Sequence, residues 1–263
     1  MNQMFRTPPD FGPAHAAARE RAYSMPLDQI DTADPALFAS YTMWPYFERL
    51  RREDPVHYFA DKTKNEFAPY WSITKYNDIV AVDTNHKVFS SEPSITVFDP
   101  QEDFRLPMFI AMDPPKHDVQ RKTVQPVVAP ENLAMLEPVI RERAAKILDE
   151  LPIGVEFDWV DKVSIELTTM TLATLFDYPW EKRRDLTYWS DVATAAKGSP
   201  HFVSIEHRRE QLKNCLVAFQ QLWQERANRP PANDLVSMLA HGADTKNMPP
   251  MEYLGCLLYT SPS

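Results

Sequence analysis

The sequence predicts a mostly α protein with a small β element, and three observations carry the prediction. Beyond Asp113 apolar residues recur at helical spacing, as in Leu133, Leu136, Ile140, Ala144, Ile147, Leu148 and Leu151. Two short aromatic and β-branched runs, DPVHYFA and PYWSITKY, flank the polar stretch DKTKNEF, which is the pattern of a hairpin. The 24 prolines fall mostly between periodic segments, where they start and stop helices.

Taken in order, residues 1–24 hold no sustained period and read as a loosely ordered leader. PALFASYTMWPYFERLRRED sets Tyr46, Phe47 and Leu50 at helical spacing and stops before Pro55. After the hairpin, NDIVAVDTN opens a helix at Asn77 or Asp78, whose side chains can cap free N–H groups. VFSSEPSITVFDPQEDFRLPMFI mixes polar turns and apolar residues without a period, so a long, greasy loop is expected. DWVDKVSIELTTMTLATLFDYP is apolar on most sides, like a helix surrounded by protein. Amphipathic helices follow in EKRRDLTYWSDVATAA, HFVSIEHRREQLKNCLVAFQQLWQERANRP and NDLVSMLAHGA.

Bulk composition excludes several classes. A net charge of −9 over 263 residues opposes nucleic-acid binding, which demands a basic stripe. No apolar run approaches the length of a transmembrane segment, and the N-terminus lacks a secretory core. With only Cys215 and Cys256, no disulfide framework is encoded, and a cytoplasmic setting is expected. No HExxH, paired CxxC or Gly-x-Gly-x-x-Gly occurs, against zinc hydrolysis and against flavin or nicotinamide chemistry.

The densest chemistry lies in AMDPPKHDVQRKTVQPVVAP. Asp113 before Pro114 suits a helix entrance, since its carboxylate can accept from early N–H groups and proline there sacrifices no bond. His117 and Arg121 then stand one turn apart on one face. Arg121 can grip a carboxylate through two parallel N–H bonds and His117 can add a third. Spacing alone leaves that anion unnamed, and solvated side chains have the same spacing.

MDPPKHDVQRKTVQPVVAP resembles the Asp-Pro-Pro-x-His-x-x-x-Arg segment of cytochrome P-450, the haem-thiolate monooxygenases. DPVHY, YWSITKYNDIVAV, VFSSE, EFDWVDKVSIELTTMTLATLFDYPWEKRR and WSDVATA are similar, in the same order, to the bacterial alkane and fatty-acid terminal hydroxylases. The resemblance implies the N-terminal part of that fold, truncated at the start of the central oxygen-binding helix, which MPPMEYLG opens. It gives His117 and Arg121 the propionates of haem b. It gives Ile95, Val97, Phe98, Leu106, Phe109, Ile110, Phe202 and Val203 a substrate-binding role, the last two in a loop that could serve as a mobile lid. Lys116 and Lys122 could lie on the outer side of the helix, either as solvated lysines, the expected case, or facing an acidic electron-transfer protein.

The resemblance also implies what this chain lacks. The iron's axial cysteine belongs to a Gly- and Phe-containing loop near the family's C-terminus, and neither Cys215 nor Cys256 has that context. CLLYTSPS is similar to the translation of a transposase sequencing adapter. The expected organisation is therefore a leader at 1–24, an incomplete monooxygenase domain at 25–255 and adapter translation at 256–263. No catalytic residue and no metal ligand is assigned within the chain. The whole enzyme would take O2, a small apolar substrate and electrons from a ferredoxin-type donor and its reductase, while these residues alone would not catalyse. The alternative is a non-enzymatic all-α lipid-binding protein.

Overall fold

The structure is a computed structural model that describes residues 12–65, 68–94, 102–195 and 198–260. The chain divides into two compact units, Met1–Ser90 with Thr96–Asp99, and Ser91–Ile95 with Pro100–Ser263.

The first unit opens with α1 (Pro13–Ser24), whose Ala18 and Ala22 are buried. That corrects the expected leader over this span: a run of alanines carries too weak a hydrophobic pattern to read as a buried face, yet small side chains allow close helix approach. The expected helix over PALFASYTMWPYFERLRRED is two helices, α2 (Pro35–Ala39) and α3 (Trp44–Glu53). Asp34 caps α2 by accepting from Ala36 N at 2.9 Å, and the chain leaves it through Tyr41 at φ 56°. Tyr46 and Leu50 of α3 join Ala18, Ala22 and Ile30 in a small core. Arg49 ties α3 to the end of α1 by donating to the carbonyls of Ala22 and Met25, both at 2.6 Å.

The predicted hairpin forms. Strands β1 (Val56–Phe59) and β2 (Tyr70–Ile73) pair antiparallel, with Val56 opposite Ile73 and Phe59 opposite Tyr70. Alternation buries His57 and Phe59 and leaves Tyr58 and Trp71 exposed on the other face, ring centroids 4.7 Å apart. Behind the strands, the Asp31 carboxylate accepts from the Tyr70 hydroxyl, from Asn65 Nδ2 at 2.9 Å and from Ala33 N at 3.0 Å. The next helix, α4 (Tyr76–Asp83), begins just before the expected Asn77 or Asp78 and has no side-chain cap.

The second unit is helical among its described residues. It contains α5 (Lys116–Val124), α6 (Pro130–Asp149), α7 (Glu166–Phe176) entered through a π turn, α8 (Arg184–Thr194), α9 (Ile205–Ala227), α10 (Leu235–His241) and α11 (Pro250–Thr260). Ser204 and Asp234 cap α9 and α10, accepting from His207 N and Ser237 N. Phe219 of α9 sits at the centre of the core, its ring 5.4 Å from Phe176, 5.3 Å from Tyr178 and 6.4 Å from Tyr253. Asp177 ends α7 in the left-handed region at φ 49° and is held by the buried Arg226, which donates to its carbonyl at 2.9 Å and to its carboxylate.

Two helix expectations need correcting. Of the predicted α6 stripe, Ile147 is buried whereas Leu133 and Leu148 are about half exposed, because α6 packs chiefly on α7. The predicted stretch DWVDKVSIELTTMTLATLFDYP is buried only in its second half, in α7 and Tyr178, while Trp159 and Val160 ahead of α7 are exposed. The last helix runs through Gly255 to Thr260.

Candidate functional site

The site is built on α5 and the segment before it. Short 3-10 turns at Glu102–Phe104 and Phe109–Ala111 carry the chain toward α5. The first is tied to α9, since Arg209 pairs with Asp103 at 2.8 Å and lies over the Phe104 ring. At Pro107 the backbone approaches α11 so closely that a Cβ on Gly255 would lie 2.1 Å from the Pro107 carbonyl oxygen. Only a residue without a side chain allows this crossing.

The helix begins at Lys116, later than predicted. Pro115 occupies the cap position, the Asp113 carbonyl accepts from His117 N at 3.2 Å, and the Asp113 carboxylate accepts from Ser91 N instead of closing the helix. The prolines account for the shift, since two consecutive residues there offer no N–H for a carboxylate to cap.

Along α5 the side chains divide into two kinds. Gln120 is buried and donates through Nε2 to Glu252 Oε1 of α11, while Lys116 reaches the other oxygen of the same carboxylate at 2.8 Å. Cys256 Sγ donates to Gln120 Oε1 at 3.4 Å, which fixes the amide orientation: the carboxylate only accepts and the thiol donates. Lys116 is therefore engaged with α11, correcting its expected place on the outer face, because a nearly buried carboxylate within reach attracts it more than solvent does. Lys122 is exposed with no hydrogen bond or ion pair among the described residues.

His117 and Arg121 form the other kind. His117 is partly buried beside the Phe109 ring, 6.4 Å between centroids, and its Nδ1 meets Asp118 Oδ1 at 2.9 Å. Its Nε2 has no partner among the described residues. Arg121 is exposed, and among those residues its guanidinium makes no hydrogen bond or ion pair. The donor set, a planar guanidinium and an imidazole nitrogen one turn apart, fits paired carboxylates.

Of the expected apolar residues, Ile95, Val97 and Phe98 lie outside the described residues. Phe109 is buried with Met112 and Cys256, with Ile110 packed alongside, whereas Leu106 packs on the main helical core. Phe202 and Val203 belong to neither cluster: Phe202 lies under the Arg208 guanidinium at 5.1 Å, and Val203 is 69% exposed. The five predicted residues within the described chain are not gathered into one pocket, except that Phe109 and Ile110 adjoin. Burial pushes the thiol of Cys256 up to about 11 and that of Cys215 to about 12, so both are held as thiols near neutral pH. Glu252, Gln120 and Gly255 were not singled out from sequence. Their only sequence signals are a glutamine one turn from Lys116 and a glycine inside an apolar helix.

The helical order, the hairpin and the His117–Arg121 turn on α5 agree with the expected N-terminal region of a cytochrome P-450. No family model matches the sequence. Comparison with solved structures finds CYP153D17 from a Sphingomonas species at 39% identity and TM-score 0.78, covering 89% of this chain and 59% of that one. It also finds cytochrome P-450-153 from Novosphingobium aromaticivorans at 37% identity and TM-score 0.77, covering 87% and 57%. Among curated proteins, linalool 8-monooxygenase of Pseudomonas putida is 27% identical over 82% of this chain and 55% of its own length. Steroid C26-monooxygenase of Mycobacterium bovis is 29% identical over 80% and 50%. The chain belongs to the cytochrome P-450 family. It spans about half the length of the curated relatives it matches, and their names do not favour the lipid-binding alternative. No helix among the described residues is long and apolar enough to cross a membrane.

Proposed function

We propose that this chain supplies the haem-carboxylate clamp and part of the substrate wall of a monooxygenase that hydroxylates the terminal C–H of medium-chain alkanes or fatty acids. The observation carrying this reading is the pair of open donors on α5. Among the described residues His117 Nε2 and the Arg121 guanidinium have no partner, while their helical neighbours Lys116 and Gln120 are bonded to α11.

In this reading Arg121 would bind one haem propionate through parallel N–H bonds, and His117, in its doubly protonated form, would donate from Nε2 to a propionate oxygen while Nδ1–H stays on Asp118. The Asp118 carboxylate accepts from His117 Nδ1–H and so orients the ring. Phe109 packs beside the imidazole and restricts its swing. When bound, a haem with a cysteine thiolate supplies O2 activation, the thiolate's electron donation favouring O–O cleavage. Cys215 and Cys256 sit in apolar clusters on helices, without the Gly- and Phe-containing loop that the resemblance implies for that ligand, so we assign the thiolate to the part of the relatives this chain does not match.

Leu106, Phe109 and Ile110, with Ile95, Val97 and Phe98, would line the alkyl chain, each buried methylene adding about 0.8 kcal/mol. Phe202 and Val203 remain lid candidates. A terminal methyl is less reactive than an internal methylene, so attack at the end is a matter of holding the chain end-on. Electrons would come from a ferredoxin-type donor with its reductase, and the exposed Lys122 suits an acidic partner.

The test uses the complete product of the source gene. It should retain haem and shift its absorption on adding an alkane or fatty acid. Replacing His117 and Arg121 together by alanine should speed haem loss by at least roughly tenfold, which corresponds to about 1.5 kcal/mol, the low end for a single charge-assisted bond. Unaltered haem retention in that variant would refute the clamp.

A further inference from the structure

Glu252 is a carboxylate with little access to water, and both its oxygens are used on one partner helix. Lys116 and Gln120 are i and i+4, so the single carboxylate spans one full turn of α5. Each is followed directly in sequence by a member of the open pair, Lys116 by His117 and Gln120 by Arg121. The same two turns thus carry both the fastening and the donors.

Apolar packing does not seat this part of α5. Gln120 is its sole buried residue, and the apolar anchors come later, where Val124 and Val127 join the main core. Apolar contact is non-directional and leaves a short helix able to roll about its axis. Two hydrogen bonds to one fixed carboxylate set both rotation and height. Glu252 itself is fixed, because α11 crosses Pro107 at Gly255 with no room for a side chain, and the Tyr253 hydroxyl donates to the Phe219 carbonyl at 3.2 Å.

We infer that Glu252 is a positioning residue: by gripping Lys116 and Gln120 it sets the roll of α5 that aims His117 and Arg121 at the haem carboxylates. The inference rests on the clamp reading above. It adds that the clamp is aimed from α11, so that α5 and the opening of α11 keep one register.

The test compares the complete gene product with Glu252→Leu, which removes both bonds, and Glu252→Gln, which keeps an acceptor for Gln120 and loses the charge facing Lys116. Haem release is timed by transfer to excess apomyoglobin, with thermal unfolding followed in parallel. The expected result is release about tenfold faster in Glu252→Leu and a smaller acceleration in Glu252→Gln. The deciding measurement repeats both changes in the His117→Ala, Arg121→Ala background. If Glu252 acts through the pair, its replacement there adds nothing to the release rate. An equal, additive acceleration in that background would mean a general packing role and overturn the inference, as would unchanged release in both single variants. Should Glu252→Leu fail to fold, Glu252→Gln decides alone on the same criterion. If instead the His117 and Arg121 double variant releases haem at the parent rate, the clamp reading itself falls, an outcome distinct from failure of Glu252 alone.

Discussion

Two sides of one short helix contrast sharply. On the side of α5 facing α11, Lys116 and Gln120 are bonded to Glu252, and the buried amide is matched donor for acceptor. A quarter-turn around, His117 and Arg121 hold donors that no described residue uses. The helix is the same and so are the residue types, polar and long. The difference teaches that polarity does not mark function; what marks it is a polar group that the fold positions and leaves unsatisfied.

The largest expected effect sharpens the contrast on the fastened side. Gly255→Ala would press a methyl into the Pro107 backbone, costing about 1–3 kcal/mol or more through forced backbone shifts. A thermal midpoint lowered by less than a degree would show that the crossing is loose. Next comes Gln120→Ala, which leaves the buried Glu252 short of a donor and should cost about 1–3 kcal/mol, read as a lower urea midpoint at unchanged slope.

A satisfied cluster in the first unit provides a control with a pH signature. Burial and the bond to Asp31 raise the Tyr70 phenol to about 12 from an ordinary value of 10. Below pH 10 the phenol is protonated in folded and unfolded chains alike, so its contribution is fully present. As pH rises from 10 towards 12 the unfolded chain releases the proton first, and stability falls. Tyr70→Phe should remove that slope, and a urea midpoint with the same alkaline decline in both proteins would contradict it.

The smallest effect is expected on the open side. His117→Ala with Arg121→Ala should change stability by no more than about 0.5 kcal/mol, since the only contacts at stake among the described residues are those of the partly buried His117 with Asp118 and with the edge of the Phe109 cluster. A loss comparable with that of Gln120→Ala would erase the distinction between the two sides.

Much of this was legible beforehand. The short aromatic and β-branched runs DPVHYFA and PYWSITKY around a polar stretch predicted β1 and β2, and the helices from α6 onward follow their periodic runs. The turn bearing His117 and Arg121 stood out because its residue order resembled a known family. Less legible were the features made by neighbours distant in sequence. The alanines of α1 looked patternless until α3 packed on them. Leu133 and Leu148 looked like core, but an amphipathic stripe states only that a face can be buried, not that a partner reaches it.

Local order therefore determined element types, helix stops at prolines, the net acidity and the one-turn spacing of the two open donors. Those are properties of neighbouring residues, set by backbone sterics and periodicity. Tertiary structure alone decided that Glu252 meets Lys116 and Gln120, 136 and 132 positions away, and that Gly255 admits the Pro107 backbone. Such contacts depend on where two helices come to rest, and that position is the sum of many weak packing terms across the core, which no single stretch of sequence contains.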